Sequence, residues 1–292
     1  MDSRRRDSPA VDIVPGMQVF IGSEALAAGA VSRYELCSAF ERLLPDVYAP
    51  KGTPLTLADR TLAAWLWSKR RGVVAGLAAA ALHRAKWIDD SAPIELIYSN
   101  NKSPKGVVAR QETLFEAEVI RLGDMSMTTV ERTAFDLARR GSIVEAVARI
   151  DALARATGFK ADDVLAVADR HPHVRGVRRI SKVLDLMDGG AQSPKESWLR
   201  VLLIEAGFPR PQTQIPVLAP DGYPRYFLDL GWPDLKIAVE YDGEQHRTDR
   251  MQYRGDVTRS EYIQQLGWRR IRVLAGDRGP DVIRRVERVW PR

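Results

Sequence analysis

The stretch FLDLGWPDLKIAVEYDGEQH, residues 227–246, most constrains what this chain can fold into, because five acidic residues sit among positions that otherwise read as buried β-structure. An unpaired carboxylate taken out of water costs several kcal/mol or is forced to protonate. A strand pair loaded in this way needs a metal ion, cationic partners or a chemical task. With Pro233-Asp234 at the tip of a hairpin, period-two alternation groups Asp229 with Phe227 and Arg225, opposite Leu228 and Leu230. On the returning strand Glu240, Asp242 and Ala238 share one face, and Ile237, Val239 and Tyr241 the other. Glu240 then faces Phe227 and lies one diagonal step, ~7–8 Å, from Asp229. Two carboxylates so spaced bridge one ion, and three acids on one face repel unless a divalent cation lies among them. All-oxygen ligation favours Mg2+ or Mn2+.

The elements around this pair read as an α/β chain, α+β overall. SPKESWLRVLLIEAG is a helix with Ser193 as N-cap and Pro194 at its first position. TQIPVL, PRYFLDLGW and KIAVEYDG are strands, followed by a helix around DVTRSEYIQQLG, a strand WRRIRVLA and a closing helix, so the order from residue 193 is α, β, β, β, α, β, α. DGGAQSP (188–194) is the strongest boundary signal. Ahead of it, residues 61–190 read as a mainly helical middle domain, with a strand at 93–99, a loop at 99–106 and a capping box at Thr128 and Glu131. Residues 17–60 have the order helix, turn, helix, small β-wing, with Ser32 and Glu35 as a second capping box, which predicts a winged helix. Residues 1–16 read as a disordered tail.

Charge and cysteine content narrow the function classes. The chain has 292 residues, with 44 Lys and Arg against 38 Asp and Glu, a net charge of +6 and a pI near 9.5. From Arg247 onward there are 12 Arg, no Lys and 6 acids, which suits a polyanion partner, although charge alone favours a solvated helix face balanced by acids elsewhere. Cys37 is the only cysteine, which excludes an intrachain disulfide and a Cys-based zinc site and fits a reducing, cytoplasmic setting. The opening MDSRRRDSPA has no apolar run after it, so a secretory leader is not expected, and VVAGLAAAAL (73–82) is too short to span a bilayer. A membrane is not the expected partner. His83, His171 and His173 have no metal-ligand spacing and read as helix-end and loop residues; Walker, GxGxxG and GxSxG motifs are missing.

The pattern ESWL … LDLGWPDLKIAVEYDGEQH … DVTRSEYIQQLGWRRIRV resembles the PD-(D/E)XK nuclease superfamily, and more closely its Vsr-related endonuclease-like domains, over about residues 193–290. The resemblance implies a restriction-endonuclease-like αβββαβα domain at 191–292 that hydrolyses DNA with Mg2+ or Mn2+. It makes Asp229 and Glu240 metal ligands, Glu196 the first-helix acid that completes the metal set, and His246 a proton-transfer or water-positioning group. Asp242 is an outer-ring candidate, and Arg259 would neutralise phosphate charge. Plainer roles stand beside these: Glu196 as capping partner of Ser193, Asp234 as a turn residue, Asp242 as shaping the strand exit, His246 as a loop histidine, and Arg259 paired with Asp256. One departure matters. The motif lysine is replaced by Asp242, and Lys236 lies at the far end of its strand. Either His246 and a second cation cover that loss, or the domain binds without cutting, as a DNA-binding regulator.

FIGSEALAAGAVSRYELCSAFERLLPDVYAP is similar to the winged-helix front of AbiEi-type antitoxins, with Asp46 in place of the wing glycine. That likeness implies duplex recognition by a helix from Ser32 to Leu44, with Arg33 and Arg42 on phosphates. A homodimer and a toxin-antitoxin-type protein partner are further expectations. A winged helix serving only as a protein-interaction module is the alternative.

Overall fold

A computed structural model describes residues 19–100, 102–242 and 250–291, with 250–256 as backbone only. The protein is mixed α/β, with two units: the described residues through Leu137 together with Asp162–Pro172, and Ala138–Ala161 together with His173 onward. Among the described residues no helix is long and apolar enough to cross a membrane.

The first unit opens with β1 (Phe20–Ile21), α1 (Gly22–Ala27), α2 (Arg33–Ser38), β2 (Phe40–Leu44), β3 (Val47–Pro50) and α3 (Leu57–Trp67), the strands forming a sheet in the order β1-β3-β2. Ser32 caps α2 as predicted, its hydroxyl accepting from Glu35 N–H while the Glu35 carboxylate accepts from Ser32 N–H. The helix ends at Ser38, not Leu44. Residues 40–44 instead pair antiparallel with β3, Phe40 with Pro50 and Arg42 with Tyr48. Packing decides this: Phe40 meets Phe20 edge to face, 5.0 Å between ring centres. The turn at Pro45-Asp46 is held by Asp46, in the left-handed region at φ 64, whose carboxylate accepts the Ser23 N–H and hydroxyl at 2.9 and 2.6 Å. Arg33 therefore opens a short helix and Arg42 stands on a strand, both exposed.

Then follow β4 (Val73–Ala75), α4 (Gly76–Leu82), β5 (Ile94–Ile97), β6 (Val107–Arg110), β7 (Val119–Leu122), β8 (Met125–Thr128) and α5 (Val130–Ala138). The strands make a five-stranded mixed sheet in the order β6-β5-β4-β8-β7, inside the stretch read as mainly helical. Strands of three or four residues show too few alternations to stand out in a sequence. α5 starts one residue later than predicted: Thr129, not Thr128, accepts the Arg132 N–H at 3.2 Å, and the Thr128 hydroxyl is bonded to Thr133 at 2.7 Å. Of the next helices, α6 (Ile143–Thr157) belongs to the second unit and α7 (Ala161–Arg170) to the first.

The second unit continues with α8 (Ile180–Asp185), α9 (Pro194–Glu205), β9 (Gln212–Leu218), β10 (Pro224–Trp232), β11 (Ile237–Asp242), α10 (Arg250–Gln265), β12 (Arg269–Leu274) and α11 (Gly279–Val289), so the order from α9 onward is the predicted α, β, β, β, α, β, α. Its sheet runs β12-β11-β10-β9, with β11 and β12 parallel and the other pairs antiparallel. Leu199 and Leu203 of α9 and Val282 and Val286 of α11 pack on Leu230, Ile237, Val239 and Val273. A separate core joins Ile263 of α10 and Trp268 to Ile215, Val217, Leu228 and Ala238. The boundary predicted at 188–194 is a connection within this unit. Asp151 of α6 accepts the Asp188 N–H at 2.7 Å and pairs with Arg200 of α9 at 2.6 Å, which fixes both sides of the segment.

Candidate active site

The β10–β11 hairpin sets the geometry, and its register differs from the predicted one. Pro233–Leu235 make one turn of 3-10 helix and Lys236 takes the left-handed region at φ 51, so the connection is longer than a two-residue tip. Leu230 pairs with Val239, Gly231 with Ala238 and Trp232 with Ile237. One step further along this register Asp229 comes opposite Glu240, where Phe227 was expected. Gly231 is needed at its place, because a Cβ there would meet the Ile237 carbonyl oxygen at 2.3 Å. Asp234 lies exposed in the turn, in the turn role the sequence favours for it.

Alternation breaks at Asp229. Leu228 belongs to the core under α10, whereas Leu230, two residues on, belongs to the core under α9 and α11. On the neighbouring strand Gln214, between the pairs Leu228–Ile215 and Leu230–Thr213, has a left-handed φ of 51. Beside this irregularity the Asp229 carboxylate takes the Tyr241 N–H at 3.0 Å. Its pKa is pushed up to about 7, first by burial, then by the charges of Glu196 and Glu240; the Tyr241 N–H and Arg259 oppose the rise without cancelling it. Asp229, Glu196 and Glu240 thus form one electrostatic site built from β10, α9 and β11.

Glu196 is the capping partner of Ser193 that the sequence offers. It caps α9, with its carboxylate accepting from the Gln192 N–H at 2.8 Å and the Ser193 hydroxyl at 2.9 Å, and it also raises the pKa of Asp229. Gln214 donates to it at 3.1 Å. Glu240 is held differently: Arg259 reaches its Oε1 at 2.5 Å and Arg270 its Oε2 at 3.1 Å. Burial raises the Glu240 pKa against the pull of Arg259, Arg270 and Arg272. Asp242 is paired with Arg272. Arg259 also donates to the Phe227 carbonyl at 2.8 Å and lies over the Tyr226 ring, 5.8 Å from its centre. His246 and the side chain of Asp256 lie outside the described residues.

Among the described residues no group of three or more His, Cys, Asp or Glu side chains is arranged to hold a metal ion. The charge at Asp229 nevertheless fits a cation, because a buried carboxyl lifted by two neighbouring acids is the environment that a divalent ion relieves. Glu240 joins that set only by giving up a guanidinium.

The sequence reading passed over Lys195, Gln214, Arg270 and Arg272. Lys195 of α9 places its Nζ 5.7 Å from the Tyr241 ring centre, whereas Lys236 is over Trp268 at 5.1 Å. Arg270 and Arg272 were legible: in RRIRV they alternate with Ile271 and Val273, and β12 sets them beside Ala238 and Glu240. In the first unit His171 is buried and bonded to Glu118 at 2.9 Å, a carboxylate partner that sequence spacing did not show, and His83 is bonded to the Thr128 carbonyl at 2.9 Å.

No family model matches the chain. Two relatives, each described as an uncharacterized protein and coming from two strains of Mycobacterium tuberculosis, are 29% identical to it over 162 residues, which is 55% of this chain and 59% of each relative. The chain spans about three fifths of the length of these curated relatives.

Proposed function

We propose that the second unit is a divalent-metal-dependent endonuclease of the restriction-endonuclease-like, Vsr-related kind, acting on DNA. The observation that carries the reading is Asp229, a carboxyl whose pKa is pushed up to about 7 first by burial and then by the charges of Glu196 and Glu240. Asp229, Glu196 and Glu240 would hold Mg2+ or Mn2+. Such an ion polarises a phosphodiester and lowers the pKa of an attacking water. The chain's own groups have other tasks. The Tyr241 N–H fixes the Asp229 carboxylate, Gln214 and the Gln192 N–H fix Glu196, and Arg259 supplies a guanidinium beside the site for a phosphate oxygen. Lys195, whose Nζ is 5.7 Å from the Tyr241 ring centre, is the candidate for the cation that the Asp242 position cannot supply. The α1–α2 pair with the β2–β3 hairpin serves as the DNA-recognition module of winged-helix type, with exposed Arg33 and Arg42 on phosphates.

A second reading has its own observation. Glu240 lies between Arg259 and Arg270 and Asp242 against Arg272, which favours a DNA-binding regulator of the same fold without turnover. Incubating the purified chain with supercoiled plasmid and Mg2+, Mn2+ or chelator decides between them. Nicking that needs the metal and vanishes in Asp229→Asn supports the endonuclease. Salt-sensitive gel shifts with no nicking under any condition leave the regulator.

A further inference from the structure

In the first unit an open groove of about 430 Å³ lies where the carboxyl ends of the parallel strands β5 and β6 meet the start of β4. Carboxyl ends of parallel strands are where open α/β sheets seat ligands, and the volume falls in the usual range of about 300–1,000 Å³ for small-molecule sites. Its wall is chemically mixed. Arg71 and Arg110 bring guanidiniums, Tyr98 an aromatic ring, Ser99 a hydroxyl and Glu112 a carboxylate.

These groups are placed, not loose. Arg71 donates to the Tyr98 hydroxyl at 3.1 Å and lies 5.8 Å from the ring centre, while Trp67 meets the same ring edge-on at 5.8 Å from the other aromatic centre. Arg71 has no carboxylate partner among the described residues. The two residues before it, Lys69 and Arg70, both adopt the left-handed region, at φ 57 and 62, a strained turn that delivers Arg71 to the groove. On the far wall the fully buried Arg132 holds the strand exit, donating to the Thr113 carbonyl at 2.9 Å and to Glu112 at 3.0 Å.

We propose that this groove binds a nucleoside phosphate. The guanidinium fork of Arg71 suits phosphate oxygens, whereas Arg110 is already paired with Glu95 at 2.5 Å. The Tyr98 ring offers an apolar face to a base, and Glu112 an acceptor for sugar hydroxyls. The site is separate from Asp229 and does not depend on the nuclease reading.

Calorimetric titration of the full chain with the four ribonucleoside 5′-monophosphates, and with inorganic phosphate, tests it. The expected result is saturable one-to-one binding of at least one nucleotide, weakened about tenfold or more in Arg71→Ala and less in Arg71→Lys. Tyr98→Ala is expected to weaken the nucleotide without changing the response to phosphate. Because Arg71 is exposed, its variants keep the thermal stability of the parent chain, and Asp229→Asn binds like wild type. No binding, unchanged affinity in Arg71→Ala, or inorganic phosphate bound as tightly as every nucleotide overturns the proposal.

Discussion

Arg259 Nη2 makes two contacts at once, 2.5 Å to Glu240 Oε1 and 2.8 Å to the Phe227 carbonyl, while its Nε is buried with no hydrogen-bond partner among the described residues. A guanidinium with one unsatisfied N–H and a carboxylate that a metal would claim is set up for exchange. Phosphate would take Arg259 and release Glu240. Replacing Arg259 with Ala is expected to weaken duplex binding about tenfold and to reduce the slope of log affinity against log salt by about one. Fluorescence anisotropy across a salt series measures both. A large loss of thermal stability with unchanged DNA affinity would mean that Arg259 serves Glu240 alone.

Asp229 predicts a pH effect with a definite sign. Its folded pKa, about 7, lies above the ordinary value of 3.8, so the folded state holds a proton that the unfolded state has released between those values. Stability from this group is fully present below pH 3.8 and is lost as pH rises through 7. Asp229→Asn keeps the oxygen that accepts the Tyr241 N–H and avoids that loss. In metal-free buffer it is expected to be more stable than wild type by roughly 2–4 kcal/mol at pH 8, with the gap closing toward pH 4. Urea melts at both pH values check this. Adding Mg2+ at pH 8 should raise the wild-type midpoint and leave Asp229→Asn unmoved.

The order of elements after Ser193 was legible because its strands are long enough to alternate and its helix starts carry caps. Ser193, Ser32 and the glutamates three residues on mark helix starts that the structure reproduces. The register of the acidic hairpin was not legible, since it depends on Lys236 adopting a left-handed conformation that nothing in PDLK announces. Nor was the break at Asp229, which lies beside Gln214 of β9 in the left-handed region at φ 51. The helix expected through Leu44 gives way to tertiary contacts: residues 40–44 pair with β3 and Phe40 packs edge to face on Phe20. The arginines on Glu240 come from α10 and β12, so only the folded sheet brings them to it.

In the proposed nuclease two lysines are candidates for the cation that Asp242 does not supply. Lys195 of α9 has its Nζ 5.7 Å from the ring centre of Tyr241, whose N–H is donated to Asp229, while Lys236 lies over Trp268 at 5.1 Å. Lys195→Ala is expected to lower the plasmid-nicking rate by about 10²-fold or more, the size of effect associated with one electrostatic group at a developing charge. Lys236→Ala should nick at the wild-type rate. Single-turnover rates at saturating Mg2+ make the comparison, and equal rates for the two variants would remove Lys195 from the site.

Asp151 tests how the second unit is held together. It is 1% exposed and accepts from the Asp188 N–H, the Ser197 hydroxyl and Arg200, which is itself fully buried and also donates to the Leu186 carbonyl. Burial raises the Asp151 pKa against the opposing pull of Arg200. Asp151→Ala leaves the buried Arg200 with only Asp188, 3.9 Å from its Nε, and breaking a buried pair on one side costs up to about 3–5 kcal/mol. The double variant Asp151→Leu with Arg200→Met removes both charges and is expected to recover most of that loss, because two apolar side chains replace the pair. Urea unfolding of the single and double variants measures the difference. A double variant no more stable than Asp151→Ala would show that the hydrogen bonds to Asp188 and Ser197, not the charge pair, fix the segment between α8 and α9.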